Sequence, residues 1–349
     1  MKRYEPSWDC PHAPGPESLW QESDWLTFYD PDAGVGGVYR IGRQPNRGKG
    51  QPNLFVFARG GQRFLMKDLG GRGLDCDLGP GDLWESGYRV AGHQVDALGG
   101  GRMRYRWNYP ETYAELEFHD AFYTPRGWAA AEKGAEIIAW LNPDGHLECA
   151  GRVTGKVKIG DQSYDIDCMG HRDRSWGYRE SYMPKMKRTL GGWGTTGAGF
   201  SFATMLLHLK SGERLVTGFV HRNGHEEDIV DIRFLSTLDS DLLSPVAGVM
   251  LLTLESSELI RIDCEIAQSH AGYAPGIAFN SVGVFWRDGV RGFCDFSAMA
   301  NPGRAEHLPD AAEVTLATVQ AGLSQTADGS CLVEVAASND ELPVRVQAG

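Results

Sequence analysis

The stretch Met103-Arg104-Tyr105-Arg106-Trp107-Asn108-Tyr109-Pro110-Glu111-Thr112-Tyr113-Ala114-Glu115-Leu116-Glu117-Phe118 decides how the chain is built. Met103, Tyr105 and Trp107 alternate with Arg104 and Arg106, and Ala114, Leu116 and Phe118 alternate with Glu115 and Glu117. A period of two is the signature of a strand with one buried face. Setting Arg106 opposite Glu115 and Arg104 opposite Glu117 also sets Tyr105 against Leu116 and Met103 against Phe118. A slip of one residue would spoil both faces together, so the register is specified. The reading is an antiparallel sheet with one wet and one dry side.

The same grammar runs outward along the chain. Turn signals recur at strand-length intervals: Pro143-Asp144-Gly145, Gly160-Asp161, Ser211-Gly212, Asn223-Gly224, Asp288-Gly289 and Asp328-Gly329. Between them lie runs such as Leu215-Val216-Thr217-Gly218-Phe219-Val220 and Gly283-Val284-Phe285-Trp286. The 45 glycines are dispersed, which reads as turns and bulges. No long stretch has helical periodicity. The fold expected is all-β.

At 349 residues the chain has length for roughly two domains of about 150 residues each. The strand pattern breaks at Met183-Pro184-Lys185-Met186-Lys187-Arg188, and Gly191-Gly192-Trp193-Gly194 opens a new series. This places one domain at residues 1–182 and a second at 190–349. Eight of the ten tryptophans (Trp8, Trp20, Trp25, Trp84, Trp107, Trp128, Trp140, Trp176) fall in the first half. They are either ligand-facing aromatics or the filling of a larger core.

A formal charge of −12 argues against nucleic acid and anionic membrane surfaces as partners. The seven cysteines are scattered and never spaced C-x-x-C, which supports neither a zinc site nor a disulfide framework. The first residues show no apolar signal-peptide core, and no apolar run approaches a membrane span. A cytoplasmic protein without stable membrane insertion is expected, and a homodimer is compatible with the sequence. Phosphate-loop, dinucleotide, G-x-S-x-G and H-E-x-x-H motifs are missing, so neither cofactor nor metal is expected. His221 and His225 have a helical metal spacing but straddle the Asn223-Gly224 turn.

Residues 146–180 carry the densest polar chemistry. On strands, His146 and Glu148 share one face, with Leu147 and Cys149 opposite. Likewise His171, Asp173 and Ser175 share a face, and Arg172, Arg174 and Trp176 take the other. His146 with Glu148 suits an acid–base or tautomer-fixing pair, or else a solvated strand surface. Asp173, bracketed by two arginines, is either a tuned acid or one member of a structural ion-pair cluster. His119-Asp120 and Glu85 are weaker candidates.

The run Gly170-His171-Arg172-Asp173-Arg174-Ser175-Trp176-Gly177, with Gly151-Arg152-Val153-Thr154-Gly155 and Gly36-Gly37-Val38-Tyr39-Arg40-Ile41-Gly42 upstream, resembles the AttH-like and carotenoid hydratase lipocalin superfamily. The resemblance covers most of the first half. It is closer to a bacterial branch with an Arg-Asp-[His/Arg]-Ser-Trp-Gly core. It implies two tandem lipocalin-like β-barrel or sandwich domains and a pocket where they meet, with a hydrophobic small molecule as substrate. By that resemblance Asp173 is the acid, and Ser175 stands where the hydratase signature has Glu. His146 and Glu148 join Asp173 as catalytic candidates, and His171, Arg172, Trp176, Tyr178 and Arg179 are substrate-binding candidates. The function implied is cofactor-independent hydration, dehydration, isomerisation or cyclisation of an isoprenoid- or steroid-like molecule. A non-catalytic carrier of a hydrophobic metabolite, and a cyclase that works by folding its substrate, stay open beside it.

Overall fold

The hairpin forms in the expected register. In the computed structural model, Glu115 faces Arg106, Leu116 faces Tyr105, Glu117 faces Arg104 and Phe118 faces Met103. All six apolar positions of the alternation are fully buried. The ion pairs form on the diagonal, Arg104 with Glu115 at 3.6 Å and Arg102 with Glu117 at 2.5 Å, while Arg106 turns to Asp96 at 2.8 Å. Diagonal neighbours in a twisted ladder are within reach of long side chains.

The structure describes residues 4–66, 76–127, 144–178, 186–238, 245–272, 277–300, 323–324 and 331–335. Among these there is no α-helix, only two short 3-10 turns, Pro6–Asp9 and Pro45–Arg47. Among the described residues no helix is long and apolar enough to cross a membrane. The elements divide into two compact units.

The first unit holds β1 (Trp20–Asp30), β2 (Val35–Gln44), β3 (Lys49–Ala58), β4 (Arg63–Leu65), β5 (Cys76–Asp77), β6 (Leu83–Trp84), β7 (Gly87–Val90), β8 (His93–Gly99), β9 (Arg102–Tyr109), β10 (Thr112–His119), β11 (Gly145–Ile159) and β12 (Gln162–Tyr178). They form one antiparallel sheet in the order β4-β3-β2-β1-β12-β11-β10-β9-β8-β7-β6, with β5 beside β3. The first and twelfth strands are therefore neighbours. Leu26, Phe28, Tyr39, Ile41, Tyr105, Trp107, Leu116, Phe118, Cys149 and Val153 build the core on its inner face.

The second unit holds β13 (Met186–Thr195), β14 (Phe200–Leu209), β15 (Arg214–Arg222), β16 (His225–Leu238), β17 (Pro245–Leu254), β18 (Leu259–Gly272), β19 (Ile277–Arg287), β20 (Val290–Ala300), β21 (Leu323–Ser324) and β22 (Cys331–Val335). Its order runs β15-β14-β13-β20-β19-β18-β17-β16, and β15 also pairs with β16, which closes an eight-stranded barrel. Closure removes the sheet edges. Phe202, Leu206, Phe234, Met250, Leu252 and Phe285 fill its interior. Two of its hairpins use the turns read from sequence: Asn223 and Gly224 at φ 49° and 83°, Asp288 and Gly289 at 51° and 78°. Left-handed backbone at both central positions is the primed turn that matches strand twist. His221 and His225 flank the first of these turns on paired strands, where His225 faces Arg222 and His221 faces Glu226. The two lipocalin-like units of the all-β expectation are thus present.

The inner-face assignment predicts an asymmetry between neighbouring residues. Leu116→Ala should cost about 2–5 kcal/mol in urea unfolding, and Glu115→Ala less than about 0.5 kcal/mol. Similar losses for the two would contradict the register.

Candidate functional site

The site is built on β12 and its two neighbours. Strand β11 turns into β12 through Gly160-Asp161, with Ile159 facing Gln162 and Gly160 at φ 59°. Counting back along this ladder sets Glu148 opposite Asp173 and His146 opposite Ser175. On the other side of β12, Trp25 of β1 faces Asp173, Ser23 faces Ser175 and Thr27 faces His171. Residues across a ladder share a face, so these eight side chains from three strands meet on the face opposite the core.

On this outer face His146 Nε2 lies 3.3 Å from Glu148 Oε1 and 3.5 Å from Asp173 Oδ2. The other oxygen of Glu148, Oε2, is 2.5 Å from His171 Nε2. The Ser23 and Ser175 hydroxyls are 3.1 Å apart. Ser23, Thr27, His146, Glu148, His171 and Ser175 are all buried. Asp173 retains 26% of its side-chain exposure, and Trp25 beside it is also half-buried. Residues 122–127 run along the free side of β11, where Arg126 and Glu148 exchange both backbone hydrogen bonds. An imidazole within reach of two carboxylates, with a second imidazole behind one of them, is an arrangement that can hold and move protons.

The inner face of the same strands is a different chemistry. Arg172 Nη1 donates to Asp9 Oδ1 at 2.8 Å, and its guanidinium lies 5.3 Å from the Phe118 ring centre. Arg174 donates to Asp24 Oδ2 at 2.5 Å, to Glu22 Oε1 at 2.7 Å and to the Cys10 carbonyl at 2.8 Å. Arg43 Nε donates to Glu22 Oε2 at 2.7 Å, and the Tyr88 hydroxyl donates to Asp24 Oδ2 at 2.8 Å. Burial pushes the Glu22 carboxyl up, but Arg174, the hydrogen bond from His12 and Arg43 outweigh it and hold it at about 2. Asp24 stays above the usual carboxylate range, because burial and nearby Glu22 exceed the pull of Arg174. Burial pushes the Cys149 thiol up to about 12 despite Arg172, so this cysteine is no nucleophile.

These two faces sort the sequence candidates. Asp173, His146, Glu148 and His171 come together. Arg172 and Trp176 lie on the inner face, where Trp176 stacks on His12 at 4.0 Å and meets Trp8 edge-on at 5.7 Å. A Cβ at Gly145 would come within 2.1 Å of the Trp176 ring, so glycine is what lets the indole lie across β11. The arginines that bracket Asp173 in sequence thus pair with Asp9, Glu22 and Asp24 on the far side of the strand. Tyr178 is exposed at the end of β12, and Arg179 lies outside the described residues, as do Trp128 and Trp140. His119 bonds Asp120 at 2.9 Å and Thr154 at 3.0 Å.

Sequence reasoning missed Trp25 as the aromatic beside Asp173, and the acidic partners on β1. A usable signal was present for the second: Glu22 and Asp24 hold the same alternation as the core residues Leu26 and Phe28.

No curated protein matches the chain. The family described as "Domain of unknown function (DUF7064)" matches residues 5–302. Among solved structures, an AttH candidate from Nitrosomonas europaea is similar at 12% identity and a TM-score of 0.56, over 82% of this chain and 94% of that one. CghA, solved with Sch210972, is similar at 12% identity and 0.54, over 81% and 89%. Kievitone hydratase from Nectria haematococca is similar at 7% identity and 0.51, over 82% and 90%. At these identities the likeness is one of fold, and the fold is the AttH-like lipocalin type.

The inner ion-pair network predicts a pH signature. Glu22 is held below its unfolded pKa, so the stability it contributes is present above about pH 4.5 and is lost as pH falls toward about 2. Glu22→Gln should cost about 3–5 kcal/mol at neutral pH, because Arg174 and Arg43 keep buried charges without it. It should also flatten the acid limb of the stability–pH curve. An unchanged acid limb in denaturant titrations would contradict the network.

Proposed function

The chain belongs to the DUF7064 family, and we propose that it is an acid–base enzyme that hydrates, dehydrates, isomerises or cyclises a hydrophobic, isoprenoid- or steroid-like small molecule. The observation that carries the reading is the convergence of His146 with Glu148 and Asp173 on one face of the sheet, beside a half-buried tryptophan. Asp173 is the member of the cluster that retains access, so it is the group a substrate can reach. That one fold neighbour is named a hydratase is in keeping with this chemistry.

In the hydration direction, protonated Asp173 gives its proton to one alkene carbon. Trp25 offers a π face to the positive charge that develops on the other, worth about 0.5–2 kcal/mol depending on desolvation. A water adds to that carbon, and its proton passes to His146 and returns to Asp173 across the 3.5 Å gap. Glu148, held by His171, orients the His146 ring. Proton transfer by positioned groups contributes typically about 10²- to 10⁴-fold. In this proposal Arg172 and Trp176 position β12 from behind and touch no substrate. The chemistry asks for no organic cofactor.

The test is incubation with a panel of isoprenoid and steroid alkenes in deuterated water, with deuterium on carbon read by mass spectrometry. Wild-type protein should label or hydrate at least one of them, and Asp173→Asn should lower the rate by about 10²-fold or more. Equal labelling by a folded Asp173→Asn variant would remove the acid from the reading. Tight binding of the panel without labelling would point to a carrier.

A further inference from the structure

The donor atoms of the outer-face cluster also have the spacing of metal ligands. One imidazole nitrogen of His146 and one carboxylate oxygen each of Glu148 and Asp173 lie within 4.8 Å of one another. The two separations involving His146 Nε2 are 3.3 Å and 3.5 Å. Ligands bonded at about 2.0–2.1 Å to a tetrahedral centre stand about 3.3–3.4 Å apart, whereas a well-formed N–H···O bond is nearer about 2.9 Å.

The surroundings fit as well. Glu148 is fully buried and its second oxygen meets His171 Nε2 at 2.5 Å, so an outer imidazole fixes the carboxylate, as metal-binding groups commonly require. Two carboxylates crowded around one imidazole carry charge that a divalent cation would neutralise. Cys149 points to the inner face with Leu147, so among the described residues the set is one nitrogen and two oxygens without thiolate. Nitrogen and oxygen donors suit zinc and neighbouring divalent transition metals. Three protein ligands also leave a position open, and the partly exposed Asp173 gives an entry path.

We propose that His146, Glu148 and Asp173 form a binding site for a zinc-class divalent transition-metal ion, with His171 as a positioning residue behind Glu148. The inference rests on the cluster used in the acid–base reading and makes metal a regulator of it. An ion held here occupies the Asp173 carboxylate and the His146 nitrogen, so neither is available for proton transfer and the loaded protein turns over more slowly.

The experiment uses the full chain, stripped with a chelator and desalted. Zn²⁺ affinity is read by competition with a chromophoric chelator, and Co²⁺ is added separately to read its visible ligand-field bands. One equivalent of Zn²⁺ should bind, and Co²⁺ should give the intense bands of a low-coordinate site. His146→Ala should weaken binding by more than about 100-fold, since loss of an outer-shell partner alone costs about 10- to 100-fold, the range expected for His171→Ala. His225→Ala, at an exposed turn of the other unit, should leave affinity unchanged. Failure of the wild-type protein to bind either ion would overturn the proposal without needing any variant to fold. So would equal affinity in wild type and folded His146→Ala. Metal-free protein that still labels substrate in an Asp173-dependent way would keep the acid–base reading when the metal proposal fails.

Discussion

Two guanidinium groups of β12 lie inside the first unit, and most of its architecture follows from how they are satisfied. Arg172 and Arg174 alternate along β12 with side chains of the opposite face, and each is fully buried. An unpaired buried charge is prohibitive. Asp9 answers the first, while Glu22 and Asp24 answer the second, with Arg43, His12 and Tyr88 taking up further carboxylate valences. These partners come from β1, β2, β7 and the segment before β1. The interaction therefore fastens the N-terminal segment and the first strand to the last strand of the sheet.

Because strand side chains alternate, fixing the arginines inward fixes Asp173 outward. The same argument holds for His171 and Ser175 on β12, and the hairpin register then carries His146 and Glu148 to the same place. The candidate chemistry thus inherits its geometry from a structural network on the reverse of the strand. This also separates two carboxylate environments that share one short stretch of sheet. Glu22 and Asp24 are locked by cations in the interior, and Asp173 keeps part of its exposure.

The sheet and hairpin register were legible in sequence wherever the contacts were local. Alternation at residues 103–118 specified pairing because charge and burial agreed, and the same alternation separated His171, Asp173 and Ser175 from Arg172, Arg174 and Trp176. The opposition of Glu148 and Asp173 was also latent, since the two-residue turn at Gly160-Asp161 fixes it by counting outward. What could not be read was the meeting of β1 with β12, a pairing of residues about 150 positions apart that no local pattern encodes. Trp25 and the acidic partners of the arginines depend on that pairing. Trp176 belongs to the motif in sequence, but the alternation along β12 sets it on the face of Arg172 and Arg174, opposite Asp173.

The most direct measurement compares the unfolding free energies of Asp24→Asn and Asp173→Asn in urea at neutral pH. If the two faces divide structural from functional work, Asp24→Asn loses about 3–5 kcal/mol by breaking one of the two buried carboxylate pairs of Arg174 and leaving Glu22 alone to answer it. Asp173→Asn then stays within about 1 kcal/mol of the unmodified protein, as for other partly exposed ion pairs. A loss at position 173 as large as that at position 24 would make the outer carboxylate part of the scaffold and contradict the account.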